Sequence, residues 1–578
     1  MQGKRWGVMV CVLVIAAGCS KKAKEEIADA PPPPAYAPAN VDSMALHESL
    51  EVTGSRVRDA AQEGKAVAYQ SMPKPAQPAR RVMAPTSPAP LVLDSPVPMS
   101  IPAPPPPPAD YGGDYEAPSA VAPVVRNSWQ TTPQAPISTF SIDVDTGSYT
   151  LARKTLSNGR LPSADLVRTE EFINYFDHDY PRPVSAEPPF AVYTEIAPAP
   201  WNSQRYLLQV GIQGYDVDQR DLPPTNLVFL IDSSGSMQDA DKLPLLKKGF
   251  AALVERLRAQ DRVAIVTYAG SAGLVLPSTP GDQHQTILAA LNRLEAGGST
   301  NGGAGIELAY KVAREARISG GINRVILATD GDFNVGTTSV EALKKMVEQQ
   351  RASGTALTTL GFGGYGYNDT MSEQLADIGD GNHAFIDDQL EARKVLVREM
   401  GGTLLTIARD VKIQLEFNPV LVPKYRLLGY ENRMLRREDF ANDKIDAGEI
   451  GAGHDVTALY ELELTDVRQA QALLATLRLR YKPAEEQAQR RDQSRLVEHR
   501  LLARDVLPVA GPRLKFAAAI AGFAEKLHGS QELAAISYAD LASWVEVPSQ
   551  AKDAQERNEL AELIRLSEAL SGAKTAAR

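Results

Sequence analysis

The sequence predicts a doubly wound α/β domain with a mostly parallel sheet, inserted in a β-sandwich. Helices close the C-terminal end, and a disordered, Pro-rich tether stands in front. Three observations predict this. From Asn226 onward, nearly continuous apolar runs alternate with stretches of helical periodicity, the pattern of strands buried on both faces between helices. Shorter alternating β runs flank that region on both sides, and the two on its N-terminal side are too few to make a stable sheet alone. Of the 41 prolines in the 578-residue chain, 23 fall before residue 140. Such a segment has too little periodic apolar surface to offset its ordering entropy.

The chain opens on an address. Lys4 and Arg5 precede an apolar run, Val8 to Ala17, too short for a stable span and of the form of an export signal. The run ends Ile15-Ala16-Ala17-Gly18-Cys19, and small residues before a cysteine resemble the bacterial lipobox, although Ala16 stands where leucine is usual. That resemblance implies a signal peptide over 1–18 and acyl chains on Cys19, inserted in a lipid bilayer. In a diderm bacterium Ser20 implies sorting to the outer membrane, facing the periplasm or the surface, rather than to the inner one. Cys11 and Cys19 are the two cysteines, so no disulfide or thiolate metal site can form in the body of the chain. Residues 19–137, with Pro31 to Pro34 and Pro104 to Pro108, read as an extended tether. A net charge of −10 argues against a nucleic-acid partner, which needs a basic face.

Residues 138–222 read as a flanking module. Phe140 to Asp143 alternates like a strand, Ser148 is placed to cap a helix over Tyr149 to Leu156, and Asn158-Gly159 stops it. A second helix is expected over Ser163 to Phe176, then strands at Phe190 to Ile196 and Tyr206 to Ile212. Asp143-Val144-Asp145-Thr146-Gly147-Ser148 gathers two carboxylates and two hydroxyls, but no glutamate stands where an EF-hand loop needs its bidentate ligand. It is read as a strand end leading into a capped helix.

Residues 223–398 carry the α/β alternation. Strands are expected at Leu227 to Ile231, Val263 to Tyr268, Arg324 to Thr329, Ala356 to Phe362 and His383 to Ile386, with a short edge hairpin at Leu274 to Leu276. Helices are expected at Lys242 to Arg258, Gln283 to Leu294, Gly303 to Arg317, Ser339 to Gln350, Met371 to Ile378 and Gln389 to Gly401. In such sheets ligands sit beyond the carboxyl ends of the strands. Three polar clusters lie there: Asp232-Ser233-Ser234-Gly235-Ser236, Gly298-Ser299-Thr300-Asn301 and Thr329-Asp330-Gly331-Asp332. Together they offer an all-oxygen donor set with few charges, suited to Mg²⁺, or to another divalent cation such as Mn²⁺ or Ca²⁺.

Asp232, Ser234 and Ser236 in D-x-S-x-S, with Thr300 and Asp330 following in order, resemble the metal-ion-dependent adhesion site (MIDAS) of the von Willebrand factor A domain. The resemblance implies that the two serines and the threonine contact the metal. It implies too that the aspartates act through water and that a carboxylate of a protein partner completes the coordination. Gly361-Phe362-Gly363-Gly364-Tyr365-Gly366 also fits G-x-G-x-x-G. However, it follows a late strand of an already complete domain, and Tyr367-Asn368-Asp369 delays the helix that would hold a pyrophosphate. The serines lack a G-x-S-x-G setting, and His284 and His383 read as loop or surface residues, so the sequence predicts no catalytic residues and no enzyme.

Residues 399–575 read as β, then helical. Strands are expected at Val411 to Phe417, Tyr425 to Tyr430, Val456 to Leu464 and Leu474 to Tyr481. A charged helical stretch is expected over Gln487 to Asp505, then helices at Leu514 to Leu527, Tyr538 to Trp544 and Gln555 to Leu570. The strands on the two sides of the α/β domain are expected to share one sandwich. From Phe140-Ser-Ile-Asp-Val-Asp-Thr-Gly-Ser-Tyr149 to about residue 570, the order of segments resembles the bacterial YfbK-type family of A-domain lipoproteins. The expectation is an anchored envelope protein that binds an acidic side chain of a protein partner through the cation. The alternative is an accessory subunit that recruits or positions an ATPase or metal-handling enzyme.

Overall fold

The computed structural model describes residues 126–578 apart from 219, 300–301, 332–338, 365–366, 466–468, 485–492, 534, 546–551 and 577–578. The segment 1–18 expected as a signal peptide, Cys19, nearly all of the Pro-rich stretch and Thr300 therefore lie outside the described residues. Before the insertion come β1 (Gln130–Thr131), β2 (Ile137–Ser141), α1 (Gly147–Ser157), α2 (Thr169–Asn174), β3 (Phe190–Ala199) and β4 (Asn202–Gly214). The inserted domain runs β5 (Thr225–Asp232), α3 (Leu243–Val254), β6 (Arg262–Tyr268), β7 (Ala272–Pro280), α4 (His284–Asn292), α5 (Gly302–Glu315), β8 (Ile322–Thr329), α6 (Val340–Ala352), β9 (Ala356–Phe362), α7 (Asp369–Ile378), β10 (His383–Ile386), α8 (Gln389–Arg393) and α9 (Met400–Leu404). After it come β11 (Thr406–Phe417), β12 (Lys424–Leu428), β13 (Ile450–Gly451), β14 (Asp455–Glu463), β15 (Leu473–Pro483), β16 (Arg495–Leu502), α10 (Pro512–Leu527), α11 (Tyr538–Trp544) and α12 (Ala554–Ala576).

The inserted sheet has the order β10-β9-β8-β5-β6-β7, parallel except for the edge strand β7. Its central strand β5 is buried along its whole length, which explains the unbroken apolar run Leu227 to Ile231. One face packs through Phe229 and Ile231 on Phe250 and Leu246 of α3, the other through Val228 and Leu230 on Ile306 and Tyr310 of α5.

The strands on the two sides of the insertion interleave in two sheets. One has the order β1-β12-β14-β4-β3, with Leu208 opposite Tyr460. The other runs β16-β15-β11, with β2 and β13 both on the free edge of β11. Phe140, Phe190, Leu208, Ile212, Ile413 and Leu477 meet in the core between them. Helices α1, α2, α10, α11 and α12 cover the outer face of the first sheet, where Leu207, Leu428 and Leu459 pack on Phe172, Phe516 and Leu560.

Five local expectations are corrected, the fifth of them, at Asp143 and Asp145, by the charged network described below. Ser148 lies inside α1 and caps nothing; its buried hydroxyl donates to the Leu166 carbonyl (2.6 Å) and accepts from Arg168 N–H (2.8 Å). A carboxylate from α2 serves the helix start instead, with Ser148 N–H donating to Glu171 Oε2 (2.7 Å). The helix expected over 163–176 is broken at Arg168, whose backbone is extended. Within the charged stretch expected as helix, Arg495–Leu502 is the edge strand β16, because its charges face water while Leu501 enters the core. His383 is buried on β10 and bonded at both ring nitrogens, to Thr359 (3.1 Å) and Asp369 (2.9 Å).

A charged network fixes the inserted domain to its flanks. Arg168 pairs with Glu171 and reaches across to Asp369 (2.6 Å) on α7. Despite burial, Arg168 and His383 hold the Asp369 carboxyl well below the usual range. Arg433, beyond β12, binds Asp143 (3.1 Å), Asp145 (3.3 Å), Glu373 (3.1 Å) and Asp377 (2.6 Å). Asp143 and Asp145 are thus buried anchors rather than the polar end of a strand, and Asp143, Glu171 and Glu373 bring carboxylate oxygens within 4.8 Å of one another. On the other side of α1, Arg153 binds Asp387 (2.5 Å) and Glu391 (2.9 Å).

Two predictions follow from this architecture. A chain beginning at residue 223 lacks β2, β3 and β4, so it is expected to aggregate; size-exclusion chromatography checks this, and a stable monomer refutes the shared core. Burial raises Glu373 from 4.5 to about 7. Its protonation therefore stabilises the fold by up to roughly 3 kcal/mol, an effect present in full below pH 4.5 and lost as pH rises through about 7. The melting temperature of Glu373→Gln is expected to fall less than that of the wild type between about pH 5 and about pH 8; parallel melting curves refute the assignment.

Candidate metal centre

The centre lies where β5 and β8 end. Asp232, the last residue of β5, is completely buried. Its Oδ1 accepts from Ser234 N–H (2.8 Å), which closes the turn, and its Oδ2 accepts from the Thr329 hydroxyl (3.3 Å). Burial raises the Asp232 carboxyl above its ordinary range; the neighbouring Asp330 carboxylate adds to this, and hydrogen bonds from Ser234 oppose it.

The turn sorts the three serines. The Ser233 hydroxyl is directed to the Tyr268 carbonyl on β6 (3.2 Å), away from the centre. The Ser234 and Ser236 hydroxyls lie 2.9 Å apart. The second loop docks on this turn through Gly297 N–H to the Ser233 carbonyl (2.8 Å) and Gly235 N–H to the Gly298 carbonyl (3.1 Å). That docking sets Gly297 and Gly298 against the serine turn. Asp330 follows β8 and is buried, and its Oδ1 has no hydrogen-bond partner among the described residues. Of the five residues expected from sequence, Asp232, Ser234, Ser236 and Asp330 are thus gathered at the strand ends. The donor set is oxygen only, it combines two carboxylates with two hydroxyls, and it keeps one buried carboxylate oxygen free. It fits a hard divalent cation.

Two lysines at the centre escaped the sequence reading. Lys242, just before α3, donates to Asp330 Oδ2 (3.0 Å) and to the Ser236 carbonyl (2.9 Å). Lys154, on α1 of the flanking module, reaches Asp241 (2.5 Å) and the Gly363 carbonyl. Gly363 and Gly364, which follow β9, make room for these lysines. Gly363 adopts φ +82°, and a Cβ there would stand 2.6 Å from the Lys242 chain. The helix that follows starts only at Asp369, capped by Asn368.

The comparisons agree with this architecture. The von Willebrand factor type A domain family model matches residues 226–399, a model described as von Willebrand factor matches 119–209, and one described as "Uncharacterized protein YfbK, C-terminal" matches 402–570. The Escherichia coli K12 protein described as "Uncharacterized protein YfbK" is 45% identical over 462 residues, covering 76% of this chain and 79% of its own. The Synechocystis protein sll0103 is 26% identical over 295 residues, 49% of this chain and 67% of its own. The magnesium-chelatase 60 kDa subunit of Rhodobacter capsulatus is 31% identical over 164 residues, 27% of this chain and 29% of its own. With identity to the Escherichia coli protein running through the flanks as well as the α/β domain, this chain belongs to the YfbK family of proteins with a von Willebrand factor type A domain.

Proposed function

We propose that the chain is a lipid-anchored protein of the bacterial envelope that captures a protein partner through a divalent cation held by Asp232, Ser234, Ser236, Thr300 and Asp330. The observation that carries this reading is the convergence of Asp232, Ser234, Ser236 and Asp330, with Asp330 Oδ1 buried and unpartnered. A cation with so few anionic ligands keeps its affinity for an external carboxylate, so the partner presents an aspartate or glutamate. The serine hydroxyls are the direct donors, and Asp232 orients Ser234 by accepting from its backbone N–H at 2.8 Å. The acyl anchor is assigned to Cys19, and the outer membrane is its expected location. The reading is of a binding module, not an enzyme. Likeness to a magnesium-chelatase subunit favours a second reading, in which the domain recruits or positions an ATPase or metal-handling enzyme. Capture from solubilised membranes with and without EDTA separates the two by the identity of what is retained.

Two titrations test the centre. Calorimetry with Mg²⁺ is expected to give saturable heat with the wild type and none with Ser234→Ala; equal heats refute the site. Lys242→Met removes a cation bound to Asp330 and is expected to tighten Mg²⁺ binding, on the order of tenfold for one like charge removed at short range. Unchanged or weaker binding shows that the Lys242 charge does not oppose a cation at Asp330.

A further inference from the structure

A second site lies at the opposite end of the inserted sheet. The starts of β8 and β9 face the sandwich across a cleft of about 540 Å³, a size typical of small-molecule sites. Arg317, Arg324, Arg351, Arg409 and Arg495 line it, against the acids Glu187 and Asp380.

Three of the arginines are engaged. Arg351 pairs with Asp380 (3.2 Å) and Asp446, Arg495 pairs with Glu187 (2.5 Å), and Arg317 donates to the Gly354 carbonyl (3.2 Å). The other two have no carboxylate within ion-pair distance among the described residues, and Asp380 acts on both only from further away. Arg324 is 3% exposed and donates to the Thr358 hydroxyl (2.6 Å), but its Nε has no partner. The Arg409 side chain makes no hydrogen bond or ion pair with any described residue and acts on Asp380 only at longer range, and its Nε is buried without a partner. The remaining acids nearby do not supply the missing charge. Asp410 is taken by Lys482 (2.7 Å). Burial, with the Asp380, Asp446 and Asp410 carboxylates beside it, raises Glu449 well above the usual range and so favours its neutral form.

A guanidinium buried without an anion is costly, and its planar fork matches a carboxylate or a phosphate. Tyr215, Ile407 and Tyr481 give the wall an apolar part. We propose that this cleft binds a small organic anion, its phosphate or carboxylate held by Arg324 and Arg409 and its apolar body set against Tyr215, Ile407 and Tyr481. Burial lowers Arg324 to about 10, and the Glu449 and Asp380 carboxyls, both beyond ion-pair distance, oppose this only in part. The proposal is independent of the metal centre.

Calorimetry on the full chain in detergent, with phenyl phosphate, benzoate and inorganic phosphate as probes and EDTA present, tests it. Saturable binding of an aromatic anion is expected, several-fold tighter than that of inorganic phosphate. Arg409→Ala is expected to weaken it at least tenfold without lowering the melting temperature. Asp380→Asn, which removes a competing carboxylate, is expected to tighten it. Absence of saturable binding by every probe, or equal affinity in Arg409→Ala, overturns the site. Arg324 is too deeply buried to serve as the first variant. Given binding, sedimentation of the Cys19→Ser form, which carries no acyl chains, with phosphatidylglycerol vesicles names the source: sedimentation that is lost when Arg409→Ala is added assigns a lipid headgroup, and no sedimentation, or sedimentation unchanged by Arg409→Ala, assigns a free anion.

Discussion

The antiparallel pairing of β4 with β14 is the constraint on which the rest of the structure depends. One strand precedes the α/β domain and the other follows it, so the sandwich core cannot close until both flanks are in place. The chain leaves the first sheet at the end of β4 and re-enters in the second sheet at β11. Both ends of the inserted domain are therefore tied to one rigid body, which removes the freedom a single linker would leave. Arg168 and Arg433 then set its orientation by binding α7 from outside the domain. Buried ion pairs of this kind add little net stability, but an unpaired member is costly, so they select one docking geometry over others.

That geometry brings the flanking module to the metal centre. α1 carries Arg153, which holds the start of α8, and Lys154, which reaches the loops at the strand ends. One helix outside the α/β domain thus touches both the element that leaves the domain and the loops around its candidate site. The site is set in a composite surface rather than on an isolated module.

Much of this was legible in the sequence, for identifiable reasons. The D-x-S-x-S turn is contiguous, and a buried parallel strand announces itself as an unbroken apolar run, so Asp232, Ser234 and Ser236 could be placed from the chain alone. The shared sandwich followed from counting strands that lacked partners. What was hidden depends on distance along the chain. Asp143 looked like a strand end because Glu171 and Glu373 come from α2 and α7. β16 looked helical because an edge strand tolerates the same charges as a solvated helix face. Lys154 and the arginines of the cleft belong to elements that become neighbours only once the sandwich closes.

Lys242 shows how charge works at the centre. Asp330 has two oxygens: the lysine takes one, and the other is buried without a partner. A divalent ion on the free oxygen needs no displacement of Lys242, but it would sit beside a positive charge. The lysine would, on the proposed function, oppose the metal and favour the incoming carboxylate, since that group would meet two cations instead of one. On the proposed function, such a centre binds its metal less tightly than the donors alone allow and its acidic partner more tightly. The Gly363 backbone that makes room for the Lys242 chain is also what Lys154 grips from the flanking module. A shift of α1 would move the lysine and the partner's landing site together, so the flank and the centre are parts of one electrostatic unit.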